Sequence, residues 1–176
     1  MHTESQFDET LAEITFAVAD CSLGTVLIAR SERGVCAVLL GDDADTLAKE
    51  FQDRYPRARQ ASGEGGFDDL VAKVVGFIDA PSEDFNEPLD LNGTAFQERV
   101  WRALREIPVG KTASYAEIAQ RIGAPGAVRA VARACAANDL AVVIPCHRVV
   151  RQDGSSSGYR WGVERKLALL EREAAA

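Results

Sequence analysis

The stretch "SYAEIAQRIGAPGAVRAVARACAAN" (residues 114–138) predicts two short helices joined by a tight turn. Ser114, followed three residues later by Glu117, is typical of a capping box at a helix start, and Gly123 ends the first helix. The second helix has a proline near its first turn and ends at Asn138. This arrangement predicts a helix-turn-helix, a motif that by itself is only a weak indication of DNA binding.

Small side chains and two arginines distinguish the second helix, "AVRAVARACAA". An alanine-rich helix can approach another surface closely, and Arg129 and Arg133, four residues apart, give it a basic edge. The same composition also suits a helix that packs tightly against its neighbours in the protein. Both interpretations remain open on this helix alone.

The two halves of the chain differ in charge. Residues 1–95 contain 7 Lys and Arg against 19 Asp and Glu, a net charge of −12, whereas residues 96–176 contain 13 against 8, a net charge of +5. The basic surplus is mostly arginine, which suits phosphate contact. An acidic, solubilising half beside an ordinary basic half explains the charges equally well, but together with the helix-turn-helix they favour nucleic-acid contact.

Before the helix-turn-helix, the sequence predicts a small α/β domain and a linker. Residues 13–41 predict three antiparallel strands, separated by "CSLG" and "SERG". Helices are predicted over 42–55 and 67–79, with a loop at 56–66. This part carries no catalytic group of residues, and the polar segment 81–93, with two prolines, is interpreted as the linker.

Two further helices flank the helix-turn-helix. Thr94 with Gln97 predicts a capping box ahead of "FQERVWRALREI". The buried stripe predicted for this helix consists of Phe96, Val100, Leu104 and Ile107. The last helix, "VERKLALLEREAAA", is predicted to bury Leu167, Leu170 and Ala174.

The segment "LAVVIPCHRVV" (140–150) predicts a buried strand that carries a thiol, an imidazole and a guanidinium side by side. The thiolate is the nucleophilic form of cysteine, and forming it at neutral pH needs a base or a positive neighbour. Neighbours in a strand point to opposite faces, so His147 is expected to reach Cys146 through a bridging water or after a bend at the preceding proline. Glu171 or Glu173 of the last helix is expected to orient His147.

By chemistry alone this cysteine–histidine pair fits a cysteine hydrolase or a thiol that accepts a group in a transfer reaction. A purely structural pair is a third interpretation, which the adjacent Arg148 makes less favourable because burying three polar groups without a purpose is costly. No local signature of an oxyanion hole or a leaving-group pocket is present. The basic C-terminal half favours transfer from a nucleobase.

The remaining composition argues against several kinds of site. Cys21, Cys36 and Cys135 lie in apolar surroundings and are interpreted as buried packing. The chain has no CxxC pair and only two histidines, so we expect no metal and no cofactor. No apolar run approaches the roughly 20 residues that span a bilayer. The polar, acidic start is unlike a signal peptide, so a cytoplasmic location is expected.

Three segments, "GTAFQERVWRALREIPVGKTASYAEIAQRIG", "AVRAVARACAAN" and above all "IPCHRVV", resemble the O6-alkylguanine-DNA alkyltransferases, and among them the bacterial Ada type. The resemblance runs from about Asp20 to Glu173. It implies an α+β fold. A small N-terminal ribonuclease H-like α/β domain with antiparallel strands would cover residues 1–91, linker included, and a mostly helical, winged helix-turn-helix-like domain residues 92–176. The zinc domain with a cysteine cluster that precedes these domains in the Ada type has no counterpart here, so we expect a stand-alone protein or a fragment of a longer one.

The resemblance implies a methylated-DNA–protein-cysteine S-methyltransferase. Such a protein repairs O6-methylguanine, and by extension O4-methylthymine, by a single-use transfer of the alkyl group to Cys146. His147 would act through water as the base, and Glu173, rather than Glu171, would orient it. Asn138 would be the hinge between the helix-turn-helix and the active-site segment.

The same resemblance implies the contacts to DNA. Tyr115 would help to rotate the target nucleotide, and Arg129 would fill the gap left by the flipped base. Tyr159 would donate to the guanine oxygen, while the Val149 backbone faces the base. The expected partners are double-stranded and single-stranded DNA with O6-alkylguanine, no membrane is expected, and the protein is expected to be a monomer. A non-repairing alkyltransferase-like DNA-binding or regulatory protein is the alternative.

The loop "GYRWG" bears on the width of the pocket. It is expected to place Tyr159, Arg160 and Trp161 over the site, and Arg160 is a further candidate for substrate contact. If Trp161 lines the channel for the alkyl group, its rigid ring leaves room for a methyl or an ethyl group and disfavours a benzyl group. Packing of Trp161 in the core beneath the loop is the alternative.

Overall fold

The computed structural model describes residues 14–62, 66–80, 85–155 and 157–176, and these form two compact units. The first unit holds the described residues of Met1–Asp79 together with Asn86–Asp90. The second unit holds those of Ala80–Phe85 together with Leu91–Ala176.

The first unit is built on a four-stranded sheet in the order β3-β2-β1-β4. Its elements are β1 (Thr15–Cys21), β2 (Gly24–Arg30), β3 (Val35–Gly41), α1 (Ala44–Arg54), β4 (Arg59–Gln60) and α2 (Phe67–Asp79). The first three strands form the predicted antiparallel meander. Strand β4 pairs parallel with β1 inside the segment predicted to be a loop, because two residues are too few to show a strand pattern.

The core of this unit lies between the sheet and its helices. Five successive residues of β2, from Thr25 to Ala29, are buried, so both faces of this central strand are covered. Helices α1 and α2 both contact β1 and β2. Phe51 of α1 packs against Phe16 of β1 with ring centroids 5.3 Å apart. The two amphipathic helices therefore bury apolar stripes, which are Leu47 and Phe51 in α1 and Phe67, Leu70, Val74 and Ile78 in α2.

A glycine allows residues 86–90 to approach strand β3 closely. Gly34 has a φ of +149°, and a Cβ at this position would lie 2.3 Å from the carbonyl oxygen of Pro88. The approach lets the Val35 amide donate to that oxygen at 2.9 Å. Part of the segment predicted as a linker is therefore packed within the first unit.

The second unit contains four helices and a two-stranded parallel sheet. Its elements are α3 (Ala95–Arg105), β5 (Ala113–Ser114), α4 (Tyr115–Arg121), α5 (Val128–Ala136), β6 (Val149–Val150) and α6 (Val163–Ala174). Helix α3 contacts both α4 and α5, and the indole N–H of Trp101 donates to the carbonyl oxygen of Ala134 at 2.8 Å. No helix in the described part of the chain is long and apolar enough to cross a membrane.

Helices α4 and α5 form the predicted helix-turn-helix. The Ser114 hydroxyl accepts a hydrogen bond from the Glu117 amide at 3.0 Å, which completes the predicted capping box. Gly123, with a φ of +78°, follows the first helix. The second helix begins at Val128, later than predicted, so Pro125 lies between the helices rather than in the first turn of α5.

The prediction of one strand over 140–150 is wrong. Turns follow Leu140, a single 3₁₀ turn covers Cys146–Arg148, and only Val149–Val150 pairs as a strand. The apolar, β-branched composition reflects burial rather than extension, since backbone groups here bond locally instead of to a neighbouring strand. The amide of Ile144, for example, donates to the carbonyl oxygen of Leu140 at 2.9 Å.

The predicted buried face of the last helix is also wrong. Leu167 is 49% exposed, whereas the buried residues of α6 are Lys166, Leu169 and Glu173. A hydrophobic pattern places charged side chains in solvent, and here two of them are buried against polar partners. The helix is therefore rotated relative to the prediction, and this rotation brings Glu173 to the site.

Candidate active site

Cys146 lies at a bend in the chain. Pro145, with φ −82° and ψ 62°, precedes the 3₁₀ turn that Cys146 begins. Cys146 is only 5% exposed and faces a cavity of about 330 Å³. The cavity is lined by Tyr115, Ala132, Cys135, Ala136, Cys146, Gly158, Tyr159 and Arg160. The chain does bend at the proline, but Nδ1 of His147 has no hydrogen-bond partner among the described residues, so the bend does not bring the imidazole onto the sulfur and a path through water stays a prediction.

The thiol of Cys146 is not ionised by its surroundings alone. Burial raises its pKa to about 11, although an amide hydrogen bond and two positive charges act in the opposite direction. The hydrogen bond comes from Nδ2 of Asn138 at 3.4 Å, and the charges are those of Lys166 and Arg160. At neutral pH the thiol therefore carries its proton, and making it a nucleophile requires a base.

His147, Arg148 and Glu173 form a buried polar group behind Cys146. Nε2 of His147 lies 2.7 Å from Oε2 of Glu173. Arg148 donates to both carboxylate oxygens, from Nε at 2.8 Å and from Nη2 at 2.9 Å, and its Nη1 donates to the carbonyl oxygen of Ile107 at 2.6 Å. The bidentate contact holds the carboxylate in one orientation.

The charge of Glu173 fixes the tautomer of His147. Burial raises the pKa of Glu173, but the hydrogen bonds from His147 and Arg148 outweigh it and lower that pKa to about 2. An ionised carboxylate only accepts hydrogen bonds, so Nε2 of His147 carries the proton and Nδ1 is the basic nitrogen. Burial also lowers the pKa of His147, which keeps the imidazole neutral at pH 7. Nδ1 has no hydrogen-bond partner among the described residues.

Asn138 holds the backbone that leads into the cysteine. It directly follows helix α5 and is 1% exposed. Its Oδ1 accepts from the Leu140 amide at 2.8 Å, and its Nδ2 donates to the carbonyl oxygen of Ile144 at 3.0 Å as well as to Sγ of Cys146. The side chain therefore connects the turn after helix α5 to the thiol, while its function as a hinge stays a prediction.

Lys166 is a residue of the site that the sequence did not reveal. It is 1% exposed, and its Nζ donates to the Val149 carbonyl oxygen at 2.7 Å and to the Ser157 hydroxyl at 2.9 Å. The Tyr115 hydroxyl lies 2.6 Å from the same Ser157 oxygen. Burial lowers the pKa of Lys166 and raises that of Tyr115. No pattern in the sequence marks a buried lysine, since lysine is nearly always exposed.

The three large side chains of the loop "GYRWG" do not all line the cavity. Tyr159 and Arg160 line it, whereas Trp161 is buried outside the cavity lining and packs edge-on against Tyr159 with ring centroids 5.3 Å apart. The Tyr159 hydroxyl is buried without a hydrogen-bond partner among the described residues. The structure thus favours the alternative in which Trp161 supports the loop from beneath.

Of the residues predicted to contact DNA or the base, two more besides Trp161 lie outside the cavity lining. Arg129 lies on the exposed part of helix α5. Val149 is fully buried in β6, where its carbonyl oxygen is bonded to Lys166. Across the described residues there is no cluster of three or more metal-binding side chains.

Comparison with known proteins identifies the family. Residues 14–91 match the ribonuclease-like domain of 6-O-methylguanine DNA methyltransferase, and residues 95–175 match the DNA binding domain of the same family. A methylated-DNA–protein-cysteine methyltransferase of Mycolicibacterium paratuberculosis is 37% identical over 160 residues, which cover 91% of this chain and 92% of that protein. The chain belongs to the 6-O-methylguanine DNA methyltransferase family. This confirms the resemblance found in the sequence.

Other members of the family support the same assignment. The bifunctional transcriptional activator/DNA repair enzyme Ada of Escherichia coli is 55% identical over 166 residues, and the match covers 94% of this chain but 47% of that protein. The chain therefore spans about half the length of this relative. The crystal structure of Mycobacterium tuberculosis OGT in complex with DNA matches with a TM-score of 0.78 at 35% identity, covering 92% of this chain and 93% of that one. The predicted α+β fold is thereby confirmed.

Proposed function

We propose that this 6-O-methylguanine DNA methyltransferase family member repairs O6-methylguanine in DNA by taking the methyl group onto Sγ of Cys146. One observation carries the proposal. A buried cysteine faces a cavity and is followed by a histidine whose unprotonated Nδ1 is fixed by an ionised Glu173. The names of the relatives, methylated-DNA–protein-cysteine methyltransferase and DNA repair enzyme, point to the same reaction.

The reaction begins with a base outside the stack. A duplex hides the methyl group of O6-methylguanine, so the nucleotide must be extruded to reach a buried thiol. A cavity of about 330 Å³ lies at the lower end of the range for small-molecule pockets. Its wall on α5 is made of small side chains, including Ala132 and Ala136, which allow close approach of a flat base.

The chemical step moves a proton and a methyl group. Nδ1 of His147 takes the Sγ proton of Cys146 through a water molecule, and Glu173 stabilises the resulting imidazolium. The thiolate then attacks the methyl carbon, forming an S–C bond while the C–O6 bond breaks and its electron pair stays on the guanine. The guanine anion becomes neutral by taking up one proton, and His147 returns to its neutral form by losing the one it took from Cys146. The buried hydroxyl of Tyr159 has no hydrogen-bond partner among the described residues, and we propose that it donates to O6 as charge develops there.

The product is a thioether, which none of the residues at the site can hydrolyse. Each protein molecule is therefore used once. The guanine leaves unmodified, and the strand needs no excision or resynthesis. We extend the proposal to O4-methylthymine, since an O-methyl carbon attached to a base presents the same electrophile to the thiolate.

DNA contact is assigned to the helix-turn-helix. Helix α5 is proposed to enter the minor groove, where its small side chains fit and where degenerate readout suits the search for a lesion. Arg129, exposed on this helix, would occupy the vacancy in the stack, and Tyr115 at the start of α4 would help to rotate the nucleotide. Both duplex and single-stranded DNA are expected to be substrates of a monomer.

The test measures both the loss of O6-methylguanine from the DNA and the gain of a methyl group by the protein. Duplex DNA with one O6-methylguanine is incubated with the protein, the bases are quantified by chromatography, and the adduct is located by fragmentation mass spectrometry. We expect guanine to be restored and one methyl group to appear on Cys146. The Cys146→Ser variant is expected to bind the same duplex without changing it, and Cys135→Ser, which alters the other cysteine of the cavity, to remain active. Binding without any loss of O6-methylguanine by the wild type would instead show a non-repairing protein.

A further inference from the structure

Trp161 lies outside the cavity lining, so the side chains that a bound alkyl group would contact are those of the lining residues. Among the eight lining residues, Arg160 is the only one with a permanent charge. Its side chain is 29% exposed, although it also faces the cavity. A side chain that both lines a cavity and reaches solvent lies at the opening, whereas Cys146 lies at the buried end.

Arg160 bridges the opening to the opposite wall. Its Nη1 donates to the carbonyl oxygen of Asn138 at 2.6 Å and to Oδ1 of Asp139 at 2.7 Å. Both acceptors lie in the turn after helix α5, beyond its C-cap residue Ala137, and this helix forms the other wall. The guanidinium also lies 5.1 Å from the centroid of the Trp161 ring, within the range of a cation–π contact. The Arg160 guanidinium is therefore held on two sides, by Trp161 of its own loop and by the turn that follows helix α5.

We propose that the Arg160–Asp139 pair is the specificity-determining element of this protein, which restricts the size of the group that can reach Cys146. This proposal rests on the proposed function for the identity of the substrate, an O6-alkylguanine. A methyl group passes under the closed pair. A benzyl group requires the guanidinium to move, which breaks its bond to Asp139.

The ion pair between Arg160 and Asp139 is weak enough to break when a bulky group enters. The two side chains are 29% and 25% exposed, so water can replace the bond when it opens. A partly exposed ion pair of this kind is weak and is further weakened by salt. Opening therefore slows bulky groups without excluding them.

An isosteric substitution tests the pair. Asp139→Asn keeps the size of the side chain and removes its charge. The matched control is Asp153→Asn, which removes an exposed carboxylate of the same loop region whose Oδ1 bonds lie within its own turn, to the backbone and hydroxyl of Ser155. Transfer rates are measured for DNA containing O6-methylguanine and O6-benzylguanine. We expect Asp139→Asn to raise the benzyl-to-methyl rate ratio about twofold to fivefold, the effect of losing a partly exposed ion pair, and Asp153→Asn to leave it unchanged.

A second measurement does not depend on alkyl transfer from DNA. The rates at which Cys146 reacts with iodoacetamide and with fluorescein maleimide are compared by mass spectrometry that locates each adduct. The bulky-to-small rate ratio should rise in Asp139→Asn by a similar factor, and in the wild type it should rise with salt concentration while Asp139→Asn stays constant. An unchanged ratio in Asp139→Asn, with wild-type folding shown by its thermal midpoint, would overturn the proposal. A raised reagent ratio in a protein that transfers neither methyl nor benzyl would support the pair as a size filter and reject the proposed function.

Discussion

At the scale of single residues, Glu173 is the side chain on which the polar contacts of the site converge. It fixes the tautomer of His147, pairs with Arg148 through both oxygens and is 4% exposed. Glu171, two residues earlier on the same helix, is exposed. The two glutamates therefore form a natural pair of test and control positions.

Replacing Glu173 with glutamine should damage both folding and chemistry. The substitution leaves the buried Arg148 without its counter-charge, and breaking a buried ion pair in this way costs about 3–5 kcal/mol. It also removes the anion that stabilises the imidazolium of His147, so transfer should slow, even under conditions where the variant is folded. Urea unfolding and single-turnover kinetics measure the two effects. Glu171→Gln should stay within about 0.5 kcal/mol of the wild type, and equal effects of the two substitutions would contradict the account.

Acid sensitivity provides a second test of the same carboxylate. The pKa of Glu173 is about 2 in the folded protein, against an ordinary value of 4.5. The unfolded chain therefore binds this proton more readily, so the stabilisation is fully present above about pH 4.5 and is lost as the pH falls towards 2. In that range the free energy of unfolding of Glu173→Gln should fall less steeply than that of the wild type, by up to about 1.4 kcal/mol per pH unit. The control is Glu171→Gln, whose free energy of unfolding should fall with pH as steeply as that of the wild type. If that of Glu173→Gln falls equally steeply, the ionised Glu173 does not stabilise the fold.

At the scale of elements, helix α5 and the turn after it link the proposed DNA-binding surface to the thiol. The helix presents Arg129 and Arg133 on its exposed side and Cys135 to the cavity, and it is followed directly by Asn138. The helix-turn-helix, its capping box and its glycine stop were all predictable, because each depends on residues within one turn of each other.

Other elements could not be predicted from local patterns. The segment 140–150 is as apolar as a strand, yet the side-chain amide of Asn138 holds it in turns by bonding to the backbone of Leu140 and Ile144. Hydrogen bonds from a single side chain leave no periodic pattern in the sequence. The rotation of α6 is set by the partners of Lys166 and Glu173, which come from remote parts of the chain. At the site, Cys146 and His147 were predicted from the motif itself, and the family resemblance predicted Glu173 rather than Glu171 as the partner of His147. The roles of Lys166 and Asp139 depend on contacts that only the fold brings together.

Substitution of Arg129 tests the role of helix α5. Because only a duplex leaves a vacancy in its stack when a base is extruded, Arg129→Ala should reduce the transfer rate on duplex DNA more than on single-stranded DNA. Arg133→Ala, four residues along the same helix, is the matched control and should affect the two substrates alike. Single-turnover rates on both substrates provide the comparison. Equal losses for Arg129→Ala on duplex and single strand would remove it from this role.

At the scale of the whole molecule, the charge is divided unevenly along the chain. Residues 1–95 carry a net charge of −12 and residues 96–176 a net charge of +5, so DNA contact is assigned to the second part despite the overall charge of −7. Association of a basic surface with DNA releases counterions, and its affinity falls as salt rises.

Duplex affinity should therefore depend on salt in a way that the second unit determines. The logarithm of the dissociation constant should rise linearly with the logarithm of the salt concentration. Lys49 lies exposed on α1 of the first unit, beside Asp53, and is not expected to contact DNA. Lys49→Ala should therefore leave the salt dependence of the dissociation constant unchanged. Fluorescence anisotropy with a labelled duplex measures the slope. An affinity independent of salt would show that the basic half does not carry the contact.

The central claim is that one molecule of this protein accepts one methyl group, on Cys146. Its most direct test is a titration with an excess of duplex DNA containing O6-methylguanine, followed by intact-protein mass and location of the adduct. We expect repair to stop when one lesion has been removed per protein molecule and every methyl group to be on Cys146. Repair of many lesions by each molecule, or a methyl group on another residue with Cys146 unmodified, would contradict it.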